Sequence, residues 1–148
     1  MNLFLKFIGI CILLQFGISC SFFSTHAGNT NYHIDYSSGG GFTGIESGIT
    51  IGSNGSVRYW ERKLNSSPIV TDSTELTSAQ LDTLNELMNS REIFTYKSDY
   101  KGNYSARLTF VNNESNNKFS FNPSEYPKDM PEVIKNIIAE INNINKHK

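Results

Sequence analysis

Apolar and polar residues alternate along five stretches of the chain, and apolar residues recur at helical spacing along two others. Tyr32, Ile34 and Tyr36 alternate with His33, Asp35 and Ser37, the two-residue period of a half-buried strand. Ile45, Ile49 and Ile51 mark one face of a second strand. Ser53-Asn54-Gly55 then signals a hairpin, because Asn-Gly accepts the positive φ of a tight turn. A third strand over Ser56–Lys63 puts Val57 and Tyr59 on one side and Arg58, Trp60 and Arg62 on the other. Residues 65–74 read as a loop that contains Ser, Pro and Asp. Thr77 and Gln80 form a capping-box pattern that opens a helix, with Leu81, Leu84, Leu87 and Met88 on its apolar side and an end by Ser90. Phe94 and Tyr96 belong to an extended segment that plugs the edge of the core.

The second half repeats the logic. Tyr104, Ala106, Leu108 and Phe110 alternate as a fourth strand, and Phe119 and Phe121 mark a fifth beyond the polar turn 112–117. Two prolines make 122–128 a loop. Asp129 and Glu132 form a second capping pattern, with Pro131 in the first turn where its missing N–H costs nothing. Ile134, Ile137, Ile138 and Ile141 then follow the i, i+3, i+4, i+7 spacing of an amphipathic helix. The order β-β-β-α-β-β-α predicts an α+β domain: an antiparallel five-stranded sheet with two helices packed on one face.

The chain opens differently. Residues 1–19 carry a lone Lys6 before a mostly apolar run, the n-region and h-region of a signal peptide, and the run is short for a bilayer span. Cys20 follows Gly17-Ile18-Ser19. A small residue before a cysteine at this place resembles the lipobox of bacterial lipoproteins, although Gly17 stands where that motif usually has Leu. The resemblance implies cleavage before Cys20 and lipidation of its thiol, so that 1–19 is a signal peptide, 20–30 a lipidated tether and 31–148 a single domain. Two alternatives stay open: signal-peptidase cleavage after Ala27, releasing a secreted or periplasmic protein, or retention of the leader as an anchor.

Composition narrows the function classes. The chain has 148 residues, a formal net charge of −1, 38% hydrophobic and 12% aromatic residues. That balance excludes a disordered chain, a disulfide-stapled miniprotein and a polybasic nucleic-acid binder. Its 17 Asn, 15 Ile and 9 Lys are the residues that AT-rich codons favour. The two cysteines are Cys11, inside the apolar leader, and Cys20. With Cys20 lipidated, the folded part has no disulfide, thiolate nucleophile or cysteine metal site.

The run Ser37-Ser38-Gly39-Gly40-Gly41-Phe42-Thr43-Gly44, with the strand, Asn-Gly turn and Val57-Arg58-Tyr59-Trp60 that follow, resembles a group of small exported bacterial proteins, often lipoproteins, of unknown function. The resemblance extends through the Leu81/Leu84 helix to the closing hairpin and helix. It implies export and an α+β fold, and it brings no catalytic residues. Taken by themselves, Gly39, Gly40, Gly41 and Gly44 offer consecutive N–H groups to an anion. No lysine completes a P-loop there, and the run lies between strands, unlike a dinucleotide fingerprint. The plainer reading is a connection that needs positive φ and close backbone approach.

Three further sets carry chemistry. His33, Asp35 and Ser37 share a strand face and suggest a hydrolytic or metal-binding group, but same-face neighbours stand about 7 Å apart and no oxyanion hole is evident. The other histidines that could join a metal site, His26 and His147, lie in the tether and at the C-terminal end. Neither catalytic residues, a metal nor a cofactor are therefore assigned. The stronger set follows from alternation: with the helices on the Tyr36/Ile49/Tyr59/Leu108/Phe121 face, the opposite face carries Arg58, Trp60, Arg62, Arg107 and Lys118, with Asp35 as the one acid placed there. Trp and Arg dominate binding hot spots, and such a face suits an acidic protein patch, a glycan or lipid headgroups. The competing reading is that the 65–74 loop covers Trp60. The expectation is a non-enzymatic binding module, lipid-anchored in the bacterial envelope, with a protein or glycan partner and no nucleic acid. The alternatives are a secreted inhibitor of a hydrolase and a small hydrolase using His33 and Asp35.

Overall fold

A computed structural model describes residues 31–146. The leader, the tether with Cys20 and His26, and His147 lie outside them. The described chain builds six antiparallel strands: β1 (Tyr32–Gly40), β2 (Ile45–Gly52), β3 (Ser56–Lys63), β4 (Ile69–Glu75), β5 (Tyr104–Asn112) and β6 (Asn116–Phe121). Their order across the sheet is β4-β3-β2-β1-β5-β6. Three α-helices accompany them: α1 (Ser78–Met88), α2 (Glu92–Thr95) and α3 (Glu132–Lys146). The α+β class and the antiparallel sheet agree with the sequence pattern, but six strands and three helices replace the expected five and two.

Both additions fall where periodicity is silent. β4 occupies most of the segment expected to be loop. It is one of the two edge strands, every residue of it is exposed, and Ile69 and Val70 keep 71% and 58% of their surface in water. A strand covered on neither face needs no alternation, so its sequence carries none. A register shift against Tyr59 and Trp60 of β3 adds a bulge, a common way of blunting an exposed edge. α2 is a single turn, too short to show a 3.6-residue period. It stands where an extended segment was expected, and Ile93 within it is fully buried.

Two polar anchors hold that turn in place. Asn117 of β6 is 1% exposed, and its Nδ2 donates to the carbonyls of Ile93 and Tyr96 at 2.7 and 2.8 Å. Lys97 Nζ donates to its Oδ1 at 2.8 Å. The following segment shields the β6 edge, with Asp99 bridged to Ser120 in parallel and the Ser120 N–H donating to the Ser98 carbonyl at 3.0 Å. Tyr96 does plug the core: its ring stands edge-on to Phe119 with centroids 5.0 Å apart.

The core lies between one sheet face and the helices. Ile34, Ile49, Ile51, Val57, Leu108, Phe110 and Phe121 face Leu84 of α1 and Ile134, Ile137, Ile138 and Ile141 of α3. The capping box of α1 forms as its sequence predicts: Thr77 Oγ1 accepts from the Gln80 N–H at 3.3 Å, and Gln80 Oε1 accepts from the Thr77 N–H at 3.0 Å. α3 starts two residues later than its pattern suggests, with Pro131 in place of Asp129 at the cap. The Pro131 carbonyl accepts the first helical bonds, from the Ile134 and Lys135 N–H groups at 3.1 and 3.3 Å. Pro131 thus caps the helix instead of sitting in its first turn, and its lack of an N–H is equally harmless there. In the β2–β3 hairpin Gly55 takes φ 84° while Asn54 does not turn positive, the three-residue form with a glycine bulge.

Burial sets a contrast for stability. Replacing Ile138, fully buried in α3, with Ala should cost about 2–5 kcal/mol in denaturant unfolding, the range for truncating a core aliphatic side chain. Arg58→Ala, on the exposed side of β3, should stay within about 0.5 kcal/mol of wild type in the same measurement.

Candidate functional site

Because all three helices pack on one side, the other side of the sheet is left without a helix among the described residues. Alternation sends there His33, Asp35 and Ser37 from β1, Glu46, Gly48 and Thr50 from β2, Arg58, Trp60 and Arg62 from β3, Arg107 and Thr109 from β5 and Lys118 from β6. The five residues singled out in the sequence, Arg58, Trp60, Arg62, Arg107 and Lys118, all line one open depression of about 350 Å³. Three of the four arginines in the chain are among them, with its single tryptophan. Residues 65–74 do not lie over Trp60 as a covering loop. They run beside it, and Pro68 and Val70 form a side wall of the depression.

Trp60 has a constructed seat. Its cross-strand partner is Gly48, and the indole lies so close over that glycine that a β-carbon there would collide with the ring atoms Cζ2 and Cε2. A glycine in mid-strand weakens the strand, and its use here is to let the ring approach the backbone. The indole Nε1 donates to Thr50 Oγ1 at 3.2 Å, and Thr50 Oγ1 donates to Asp35 Oδ1 at 2.6 Å. The Arg62 guanidinium carbon stands 5.8 Å from the ring centroid, within reach of a cation–π attraction.

A second acid, missed in the sequence, organises the cations. Glu46 pairs with Arg62 through Oε2 and with Arg107 Nη1 through Oε1 at 3.0 Å, and Ser37 Oγ donates to Oε1 at 2.6 Å. Asp35 is therefore not the lone acid of this face. The signal was present: with Ile49 and Ile51 turned to the core, Glu46 must point the other way, while Ile45 at the start of the strand is itself 41% exposed. Partial burial by itself raises the Glu46 carboxyl, but the Ser37 hydroxyl, Arg62 and Arg107 together outweigh it and hold the group below the usual carboxylate range.

The other candidates resolve differently. His33 Nε2 lies 3.5 Å from Asp35 Oδ2, but the Ser37 hydroxyl is turned to Glu46, so the three side chains do not form a nucleophile–base–acid chain. Among the described residues no group of three His, Cys, Asp or Glu is placed to hold a metal ion. The glycine run connects β1 to β2 through a one-turn 3-10 helix, Gly41–Thr43. Gly40, Gly41 and Gly44 take φ of 116°, 71° and 59°, and a β-carbon on Gly39 would come within 2.6 Å of the Glu46 backbone. The Gly41 N–H donates to the Asn103 carbonyl at 2.6 Å. Steric demand thus accounts for the glycines, and one N–H of the anion cradle is already engaged. Gly39, Gly40 and Gly44 instead border a second hollow of about 440 Å³ that shares Glu46, Arg62 and Arg107 with the first.

Compared with protein-family models and with curated proteins, the chain matches none.

The Glu46 cluster has a pH signature. A carboxyl held low in the folded state stabilises the fold above its unfolded value of about 4.3. That contribution is lost as pH falls below 4.3 through the lower folded value. Glu46→Gln removes the titration, so its melting temperature should lie below wild type at pH 7 and approach it at pH 3. A constant gap in calorimetry across that range would reject the electrostatic role of Glu46.

Proposed function

We propose that this protein is a lipid-anchored module of the bacterial envelope that binds another macromolecule and catalyses no reaction itself. The observation that supports the binding role is the helix-free sheet face, on which three arginines, Lys118 and the only tryptophan line one depression. The depression is shallow and open, whereas sites for small molecules are concave and enclose most of their ligand. A surface of this shape suits a large partner that lies across it. Among the described residues no helix is long and apolar enough to cross a membrane. The proposed attachment is Cys20, on the leader pattern and on the resemblance of the glycine run to exported lipoproteins. A second acyl chain or other support is needed for stable anchoring, since one chain binds membranes only marginally.

Two measurements test the halves of this reading. Cys20→Ala should move the protein from the membrane pellet to the soluble fraction. Unchanged membrane retention rejects the lipid anchor. In pull-downs from solubilised envelopes, a Trp60→Ala, Arg62→Ala variant should lose at least tenfold of whatever the wild type retains. An identical captured set rejects the sheet face as the binding surface.

A further inference from the structure

The strand register arranges the open face in rows. Arg58, Thr50, Asp35, Thr109 and Lys118 stand directly opposite one another across β3, β2, β1, β5 and β6. Four strand spacings of about 4.8 Å separate the ends of that row, so the Cα atoms of Arg58 and Lys118 lie roughly 19 Å apart. The adjacent row runs Trp60, Gly48, Ser37, Arg107.

The charges along these rows differ in kind. Arg62 and Arg107 are paired with Glu46. Arg58 and Lys118 are exposed, and their side chains make no ion pair or hydrogen bond among the described residues, so the row ends in two unpaired cations. At its centre stands a carboxylate, Asp35, with Oδ1 accepting from Thr50 and Oδ2 3.5 Å from His33 Nε2. A carboxylate has about four acceptor sites, which leaves room for further donors. Beside it the Trp60 ring lines the depression, with Gly48 against it, Thr50 at its edge and the Arg62 guanidinium carbon 5.8 Å from its centroid.

From this layout we infer that the ligand of the face is an acidic glycan chain lying across the strands. The inference rests on the binding reading above and specifies its partner. Anionic groups on the chain meet Arg58 and Lys118, and arginine forks suit carboxylate and phosphate alike. Sugar hydroxyls donate to Asp35, and the C–H face of a sugar ring stacks on Trp60. A uniformly acidic peptide would meet repulsion at Asp35 and has no hydroxyl to offer there. It would also find no backbone partners, because the ladder groups inside a sheet already pair with each other and strand addition takes place at edges.

The single tryptophan makes the test direct, since its emission reports on the site alone. The full-length protein, purified in detergent, is titrated with tetragalacturonate, a mannosyl-phosphate tetramer, methyl-esterified tetragalacturonate and tetraglutamate. One or both acidic glycans should shift the emission saturably, and should bind at least tenfold more tightly than the ester and tetraglutamate. The arm that binds identifies the anion as carboxylate or phosphate. Arg58→Gln with Lys118→Gln should weaken that binding at least tenfold at an unchanged melting temperature. Tetraglutamate binding as tightly as the glycans overturns the inference and assigns the face to an acidic protein segment. Binding of neither glycan overturns it too, and the binding face itself still stands if envelope capture continues to depend on Trp60 and Arg62. Loss of that dependence instead removes the underlying reading.

Discussion

A sheet covered by helices on one side only has two faces with unlike duties, and most of this molecule follows from that. The strand period of two sends successive side chains to opposite faces. Every strand but β4 must therefore place most of its large apolar residues toward the helices, which leaves the intervening positions, Trp60 among them, to the open face. Ile34, Ile49, Val57, Leu108 and Phe121 obey the first demand and are buried. Asp35, Thr50, Arg58, Arg107 and Lys118 occupy the second set by the same geometry. The polar face is thus a consequence of core formation, and its composition is free to serve another purpose.

Crowding cations on such a face raises an electrostatic problem, and Glu46 answers it. Arg62 and Arg107 come from strands separated by β2 and β1, and the carboxylate between them turns mutual repulsion into two ion pairs. The Ser37 hydroxyl fixes the same carboxylate from β1. Gly48 plays the corresponding steric part, because only a residue without a β-carbon lets the Trp60 indole lie against the backbone. The cations left without carboxylate partners stand at the two ends of the row, and it is these that give the face its outward positive character.

The elements legible in the sequence share one property: each buries a face. The five alternating strands and the two helices with apolar stripes could be read because burial imposes a period. β4 was missed because an edge strand exposed on both faces has no period to show, and α2 because four residues span only about one turn. The candidate site was legible to the same extent. Arg58, Trp60, Arg62, Arg107 and Lys118 were assigned to one face by counting alternate positions. Glu46, Gly48 and Thr50 sit on the same face by the same count, but a single acid, a glycine and a threonine in a strand carry no chemical signal until their neighbours are known.

The sequence alone determined which residues face the core, where α1 is capped, and that a glycine-rich connection joins the first two strands. These are local properties, set by propensity, period and backbone sterics within a few residues. The tertiary structure decided what those residues meet. Glu46 finds Arg107 61 residues away, Trp60 settles on Gly48, and Arg58 and Lys118 come to mark the ends of one row. Those pairings depend on strand order and register. Both are fixed by the sum of packing and hydrogen bonds across the whole sheet, which no single stretch of the chain contains.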